Sequence, residues 1–265
     1  MARALPVTRR SLRESWRGLI GWSVGIIATL VLYLPLYPSL AGPDLQTLVD
    51  SLPEPLIQAL GYDQIATGAG YTQASFLGLI GFVLFAIAAI SWGAQAGGGH
   101  EESGRLELDL AHRISRSQFV AEAILAIALK ILVVSVVAWA MIAVLNAPSQ
   151  LDIDLGNLTW AMVSLAALTF AIGTLSLAGG ILTGRKSGGI RVGAGVTVIS
   201  YVLNAVSSLI SDAKWLADTS PYAWAFGAEP LTTGLDGVGL ALLGGLAAVG
   251  IVASFIGLAR RDILG

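Results

Sequence analysis

Six apolar runs, each roughly 20 residues long and nearly free of charge, divide this chain. They fall near residues 19–37, 74–95, 119–145, 158–182, 190–210 and 238–258. A run of that length crosses a hydrocarbon core of about 30 Å when helical. In lipid each backbone amide and carbonyl must be satisfied within its own segment, which leaves the helix as the form for such runs. The pattern predicts an all-α polytopic membrane protein, one transmembrane domain over residues 1–265 with six transmembrane helices. Only 12% of the residues are charged, about half the share of a soluble domain. The 32 glycines suit helices that approach closely in lipid.

The charges between the runs alternate in sign. The N-terminal segment carries Arg3, Arg9, Arg10, Arg13 and Arg17; the second loop carries Arg105, Arg113 and Arg116. The fourth carries Arg185 and Lys186, and the C-terminus Arg260 and Arg261. The first loop has Asp44, Asp50, Glu54 and Asp63 without a base, and the third has Asp152 and Asp154. The fifth sets Asp212, Asp218, Glu229 and Asp236 against Lys214 alone. Basic loops stay in the cytoplasm, so both termini and the second loop are expected there, in the cell membrane. The basic start has no small-residue cleavage site and reads as retained, not as a removable signal peptide.

Residues 6–20 read as an interfacial helix. Leu12, Trp16 and Ile20 share one face, and the arginines occupy the rest, as in helices that lie among headgroups. Within 38–73, Leu45, Leu48, Val49 and Leu52 fit a short surface helix, interrupted at Pro53 and Pro55. Residues 211–237 are too few for two crossings but carry Trp215, Pro221, Tyr222, Trp224 and Phe226. They predict outer re-entrant half-helices, with these five residues at an outer gate.

The second loop belongs to residues 100–122, HEESGRLELDLAHRISRSQFVAE. It concentrates five of the chain's 17 acidic residues, so it must stand in water at one membrane face. Leu106, Leu110 and Ile114 form an apolar stripe at helical spacing. A lone LELDL strand would leave two open edges, which favours a helix.

Other chemistries find little support. There is no Cys, so no thiolate site or Cys nucleophile. His100, Glu101 and Glu102 are adjacent and lack HExxH spacing, so no metal is expected. GILTGRKSGG at 180–189 has Arg185 where a phosphate loop needs Gly, and reads as a basic turn. The GxxxG pairs Gly21/Gly25, Gly180/Gly184 and Gly189/Gly193 read mainly as internal packing. Lys130 lies well inside the third run, about 16 Å from its start. It either borders a substrate route, with Glu122 on the same face as partial compensation, or snorkels to the cytoplasmic headgroups.

Taken together, Glu102, Gly104, Leu106, Glu107, Leu108, Leu110, Ala111, Ile114, Ser115 and Arg116 resemble the cytoplasmic signature of ABC-2-type transporter permeases. That signature has an acidic-x-Gly segment, a Leu-rich run and a hydrophobic-Ser-Arg ending. Here Arg113 stands where a Pro is common, and Asp109 where an apolar residue is common. The basic first helix, the six runs, Ser220-Pro221-Tyr222, Glu229-Pro230-Leu231 and Arg260-Arg261-Asp262 extend the resemblance over essentially the whole chain.

The resemblance implies the membrane subunit of an ATP-driven exporter for an amphipathic or hydrophobic substrate. Residues 100–118 would form a coupling helix docked in a separate ATPase, with Glu101, Glu102, Gly104, Arg105, Leu106, Glu107, Leu110, Ile114, Ser115 and Arg116 as the coupling residues. Two permease chains, identical or homologous, and two ATPase subunits would make the working unit. ATP and Mg would sit on the ATPase, with no cofactor on this chain, no catalysis by it and no nucleic-acid partner. The competing expectations are an ion-coupled carrier, which usually shows paired acids inside its spans, and a non-transporting assembly protein.

Overall fold

The computed structural model describes residues 5–40, 67–104 and 114–260. Six of its helices are long and apolar enough to cross a membrane: α1 (Pro6–Tyr33), α2 (Gly68–Glu102), α3 (Arg116–Asn146), α4 (Leu155–Thr183), α5 (Lys186–Leu209) and α6 (Gly237–Arg260). No strand occurs among the described residues. The expected surface helix within 38–73 falls largely on residues 41–66, and Arg105, Leu106, Glu107 and Leu110 within 105–113; both stretches lie outside the described residues.

Local chemistry fixes the helix ends. Ser115 caps α3 by accepting from the Gln118 amide at 3.1 Å, and Asp154 caps α4 through the Asn157 amide at 2.9 Å. Asp236 accepts from the amides of Val238 and Gly239, both at 3.0 Å, at the start of α6. Gly184, at φ 68°, ends α4 in the left-handed conformation that glycine adopts without strain. Pro6 opens α1, where its missing amide proton is no loss.

Residues 6–20 and the first apolar run form one unbroken helix. α1 runs 28 residues from Pro6, then continues through a 3-10 turn, Leu34–Leu36. No proline falls between Arg9 and Tyr33 to divide it. Val7 and Thr8 are buried, while Trp16 and Ile20 face outward. α2 likewise overruns its apolar run at both ends, and α3 and α4 begin directly after their capping residues, three residues ahead of theirs.

α4 is the most enclosed helix and packs against α2, α3, α5 and α6; α1 packs mainly on α3. Glycines make the closest contacts. A Cβ on Gly93 would stand 2.3 Å from the Gly173 carbonyl oxygen, and one on Gly97 2.5 Å from that of Leu177. Gly189 and Gly193 of α5 turn into the same seam, and Gly180 abuts Gly97 and Gly98. The expectation of internal packing holds for these positions. Gly21 and Gly25 are different: each has open space where a side chain would stand. At the seam, the Ser176 hydroxyl lies 2.9 Å from the Gly189 carbonyl oxygen and 3.1 Å from that of Ile90, tying α4 to α5 and α2.

α2 is not uniformly α-helical. Gln73–Gly81 and Gln95–Gly99 are π-helical, one near each end. Such widened turns shift the hydrogen-bond ladder and turn backbone groups toward neighbours. Both lie beside the sites described next.

Candidate functional site

The ends of α2, α3, α5 and α6 meet where the chain's basic loops lie. Glu102, the last residue of α2, accepts a hydrogen bond from the Lys186 amide at 3.1 Å. Its carboxylate therefore sits at the start of α5, where the helix dipole favours negative charge. Arg116, the first residue of α3, donates from Nη1 to the carbonyls of Leu258 and Ala259 at 3.0 and 3.3 Å. That places a guanidinium on the terminal carbonyls of α6, the complementary arrangement. Residues 103–115 thus leave one helix end that is tied to α5 and enter another that is tied to α6.

The flanking residues reinforce these ties. A Cβ on Gly98 would stand 2.1 Å from the Arg185 carbonyl carbon, so the end of α2 lies directly on the α4–α5 turn. The Gly104 amide donates to the Glu101 carbonyl at 2.9 Å, with Gly104 at φ 67°. Among the described residues none crowds it, and its positive φ is the conformation that glycine adopts without strain. Ile114 is half-buried against the core, and Ser115 supplies the α3 cap. His100 is buried, with its ring edge toward Phe119 at a centroid distance of 6.1 Å. Among the described residues no group of His, Asp and Glu is placed to hold a metal.

Glu122 has a task other than the one expected. It is 2% exposed, and its Oε2 accepts from the Val7 and Thr8 amides at 2.7 and 3.0 Å. Its Oε1 accepts from Gln118 Nε2 at 2.8 Å, and its carbonyl accepts from the Thr8 hydroxyl at 3.0 Å. Both carboxylate oxygens are thus engaged away from Lys130. The signal for this was in α1, which begins Leu-Pro-Val with no side-chain cap and no acid in its first turn. Bare N-terminal amides buried against a neighbour must find an acceptor there.

Lys130 is buried at 5% exposure, and its Nζ donates to Ser11 Oγ at 2.9 Å. Nζ also lies 5.9 Å from the centroid of the Trp92 ring. It borders a cavity of about 490 Å³ between α1, α2 and α3, together with Ser15, Ser91, Gln95 and His100. Since Val7 pairs with residue 122 and Ser11 with residue 130, α1 and α3 run parallel and the ammonium reaches toward the basic end.

At the opposite end, Tyr222 organises the 211–237 segment. Its hydroxyl donates to the Gly78 carbonyl at 2.7 Å, in the first π-helical stretch of α2. Its ring meets those of Phe82, Tyr201 and Phe226 at 5.2, 5.3 and 5.1 Å between centroids. Pro221 opens the short helix Pro221–Phe226, which Ser220 caps while also donating to the Ser200 carbonyl at 2.6 Å. Trp224 Nε1 donates to the Asp218 carbonyl at 2.8 Å. Trp215 stands apart, 62% exposed in its own short helix, Trp215–Asp218. Of the five expected gate residues, Tyr222 and Phe226 share the buried ring cluster. Its partners Phe82 and Tyr201 come from apolar runs, where an aromatic gives no sign of which neighbour it meets.

Six long apolar helices with polar sites at both ends of the bundle define a helical, multi-pass membrane protein. The chain belongs to the family described as "Multidrug efflux system permease Rv1217c, C-terminal domain", whose model matches residues 11–258. Among curated proteins, none matches the chain. The match reaches into all six long helices, leaving out the first five residues of α1 and the last two of α6.

Proposed function

We propose that this chain is the membrane-spanning permease subunit of an ABC exporter of the ABC-2 type, driven by ATP hydrolysed on a separate ATPase subunit. Residues 101–116 dock on that ATPase with Leu106, Leu110 and Ile114 as the apolar stripe. Both termini and this segment face the cytoplasm, and two permease chains and two ATPases form the working unit. The cargo is an amphipathic or hydrophobic molecule taken from the cytoplasm or the inner leaflet. ATP and Mg are held by the ATPase, and this chain takes part in no bond-making step.

The observation that carries this reading is the pair of ties on either side of the segment. A force applied to residues 103–115 reaches α5 through Glu102 and α6 through Arg116, as well as α2 and α3 through the backbone. Four of the six long helices are thereby joined to one short charged element. Membership in an efflux-permease family supports the transport role, and the alternation of basic and acidic loops supports the orientation. For ATP to drive the change, it must bind the two states of the complex with different affinity.

The test is co-purification of the ATPase, followed by transport into inverted vesicles with and without ATP. Leu106→Asp with Leu110→Asp is expected to abolish ATPase association or ATP-driven transport while leaving membrane insertion intact. Normal complex recovery with normal transport in that double variant would refute the coupling role.

A further inference from the structure

The cavity beside Lys130 has features the coupling reading does not use. A buried ammonium is costly unless an opposite charge and further acceptors meet it. Ser11 supplies one neutral acceptor and Trp92 a π face. Among the described residues no carboxylate comes within ion-pair distance of Lys130. Glu14, the acid whose field reaches it, is paired with Arg10 at 3.7 Å. Glu122 is held by the start of α1. An ammonium has three donors, and among the described residues one of them has a protein acceptor, Ser11. The space alongside is about 490 Å³, large enough for a headgroup.

We propose that the cavity between α1, α2 and α3 binds the anionic headgroup of an amphiphile, with Lys130 as its counter-charge and Ser11, Gln95 and Trp92 as its neighbours. The ligand is anionic, because Lys130 presents a buried ammonium to the cavity with no carboxylate among the described residues within ion-pair distance. It carries an apolar tail because of where the cavity lies. Ser11 and Ser15 belong to the first turns of α1, level with Arg10 and Arg13, and the outward face of that helix continues as Trp16, Ile20 and Val24, all exposed. That face meets lipid in a membrane-spanning helix, and its arginines mark the headgroup level. The site is a property of this chain alone, so it is tested without an ATPase, and its failure is separate from failure of the coupling reading.

The experiment uses the purified full chain in a neutral maltoside detergent. Thermal unfolding and native mass spectrometry follow titration with lysophosphatidylglycerol, a monoanion, and with lysophosphatidylcholine of the same acyl chain. The expected result is saturable stabilisation by the first and not the second. Lys130→Met should weaken binding of the monoanion about tenfold or more, and Lys130→Arg should restore it to within about threefold. Ser15→Asp, a smaller change to the cavity wall, should weaken binding by competing for the ammonium, and serves if Lys130→Met does not fold. Equal binding of the two lysolipids, or unchanged binding in both Lys130→Met and Ser15→Asp, overturns the site. Glycerol 3-phosphate alone binding as well as the lysolipid overturns the need for a tail. Displacement of the lysolipid by dodecanoate supports anionic amphiphiles as the ligand class. Failure of dodecanoate to displace it overturns that class in favour of a phospholipid headgroup.

Discussion

The Glu122 carboxylate closes over the first turn of α1, taking the Val7 amide at 2.7 Å and the Thr8 amide at 3.0 Å. A side chain of α3 thereby does for α1 what its own N-cap position, Leu5, cannot. It also fixes the start of α1 beside the cavity, since Ser11 lies one turn further along and holds Lys130. The start of α1, from Val7 to Ser11, is therefore part of the packed bundle.

Glu122→Ala should release the start of α1. It strands two buried amides, each costing about 1–3 kcal/mol when left without an acceptor. Glu122→Gln keeps one carbonyl oxygen as an acceptor and should cost less. The measurements are thermal unfolding in detergent and protease cleavage within residues 5–15. Cleavage should rise in the alanine variant while α3 and α4 stay protected. Equal stability of Glu122→Ala and the parent chain would show that the contact contributes nothing.

Arg116 and Glu102 should affect transmission more than stability. Each lies at a helix end, where a matched charge contributes about 0.3–1 kcal/mol. Arg116→Ala and Glu102→Gln should therefore leave the unfolding temperature almost unchanged. If they join the second loop to α6 and α5, transport per ATP hydrolysed falls while ATPase association persists. Arg116→Lys should recover part of the loss, since an ammonium supplies charge but not the planar fork. Loss of transport in strict proportion to loss of ATPase association would instead place both residues in docking.

Tyr222 separates into a hydroxyl and a ring. Tyr222→Phe removes the bond to the Gly78 carbonyl and should cost about 0.5–1.5 kcal/mol. Tyr222→Ala also removes the packing with Phe82, Tyr201 and Phe226 and should cost about 3–5 kcal/mol. Thermal unfolding reads both. Single-Cys labelling adds a spatial check, made clean because the native chain has no Cys. Trp215→Cys should react with an impermeant reagent and Phe226→Cys should not, since Trp215 is exposed and Phe226 is buried. Equal reactivity at the two positions would mean that the segment is a simple surface loop.

The spans were legible because hydropathy and charge report on the solvent around a segment, and lipid is an exacting solvent. Their partners were not, because long-range pairs leave no mark on either strand of sequence they join. Glu122 reads as a charge near a span end, and only the bare amides at the start of α1 hint at its use. Lys130 reads equally as a pathway residue or a snorkelling one; its ammonium lies toward the basic end yet inside the bundle, a geometry that combines parts of both. Glu102 and Arg116 stand out within a motif, but their bonds to α5 and α6 depend on how helices far apart in sequence come together. The glycines were legible as packing residues only collectively. Which ones pack depends on which helix face looks inward.

That difference among glycines is the basis of the last prediction. Gly97, in the second π-helical stretch of α2, and Gly21, in α1, have the same side chain, and periodicity does not tell them apart. At Gly97 a Cβ would meet the Leu177 carbonyl oxygen at 2.5 Å, a backbone atom that can yield only if α2 and α4 separate. At Gly21 a Cβ would meet nothing within 4 Å. Alanine in an unobstructed helix interior is favoured over glycine by roughly 0.5–1 kcal/mol. Gly21→Ala should therefore be neutral or slightly stabilising in the isolated chain, whereas Gly97→Ala should be destabilising by about 1–3 kcal/mol through overpacking. Gly189→Ala should behave like Gly97→Ala, because its Cβ would stand 2.6 Å from the Ser176 carbonyl oxygen. Thermal unfolding of the three variants in one detergent makes the comparison. A lower unfolding temperature for Gly21→Ala than for Gly97→Ala would mean that α2 and α4 do not pack in the way described.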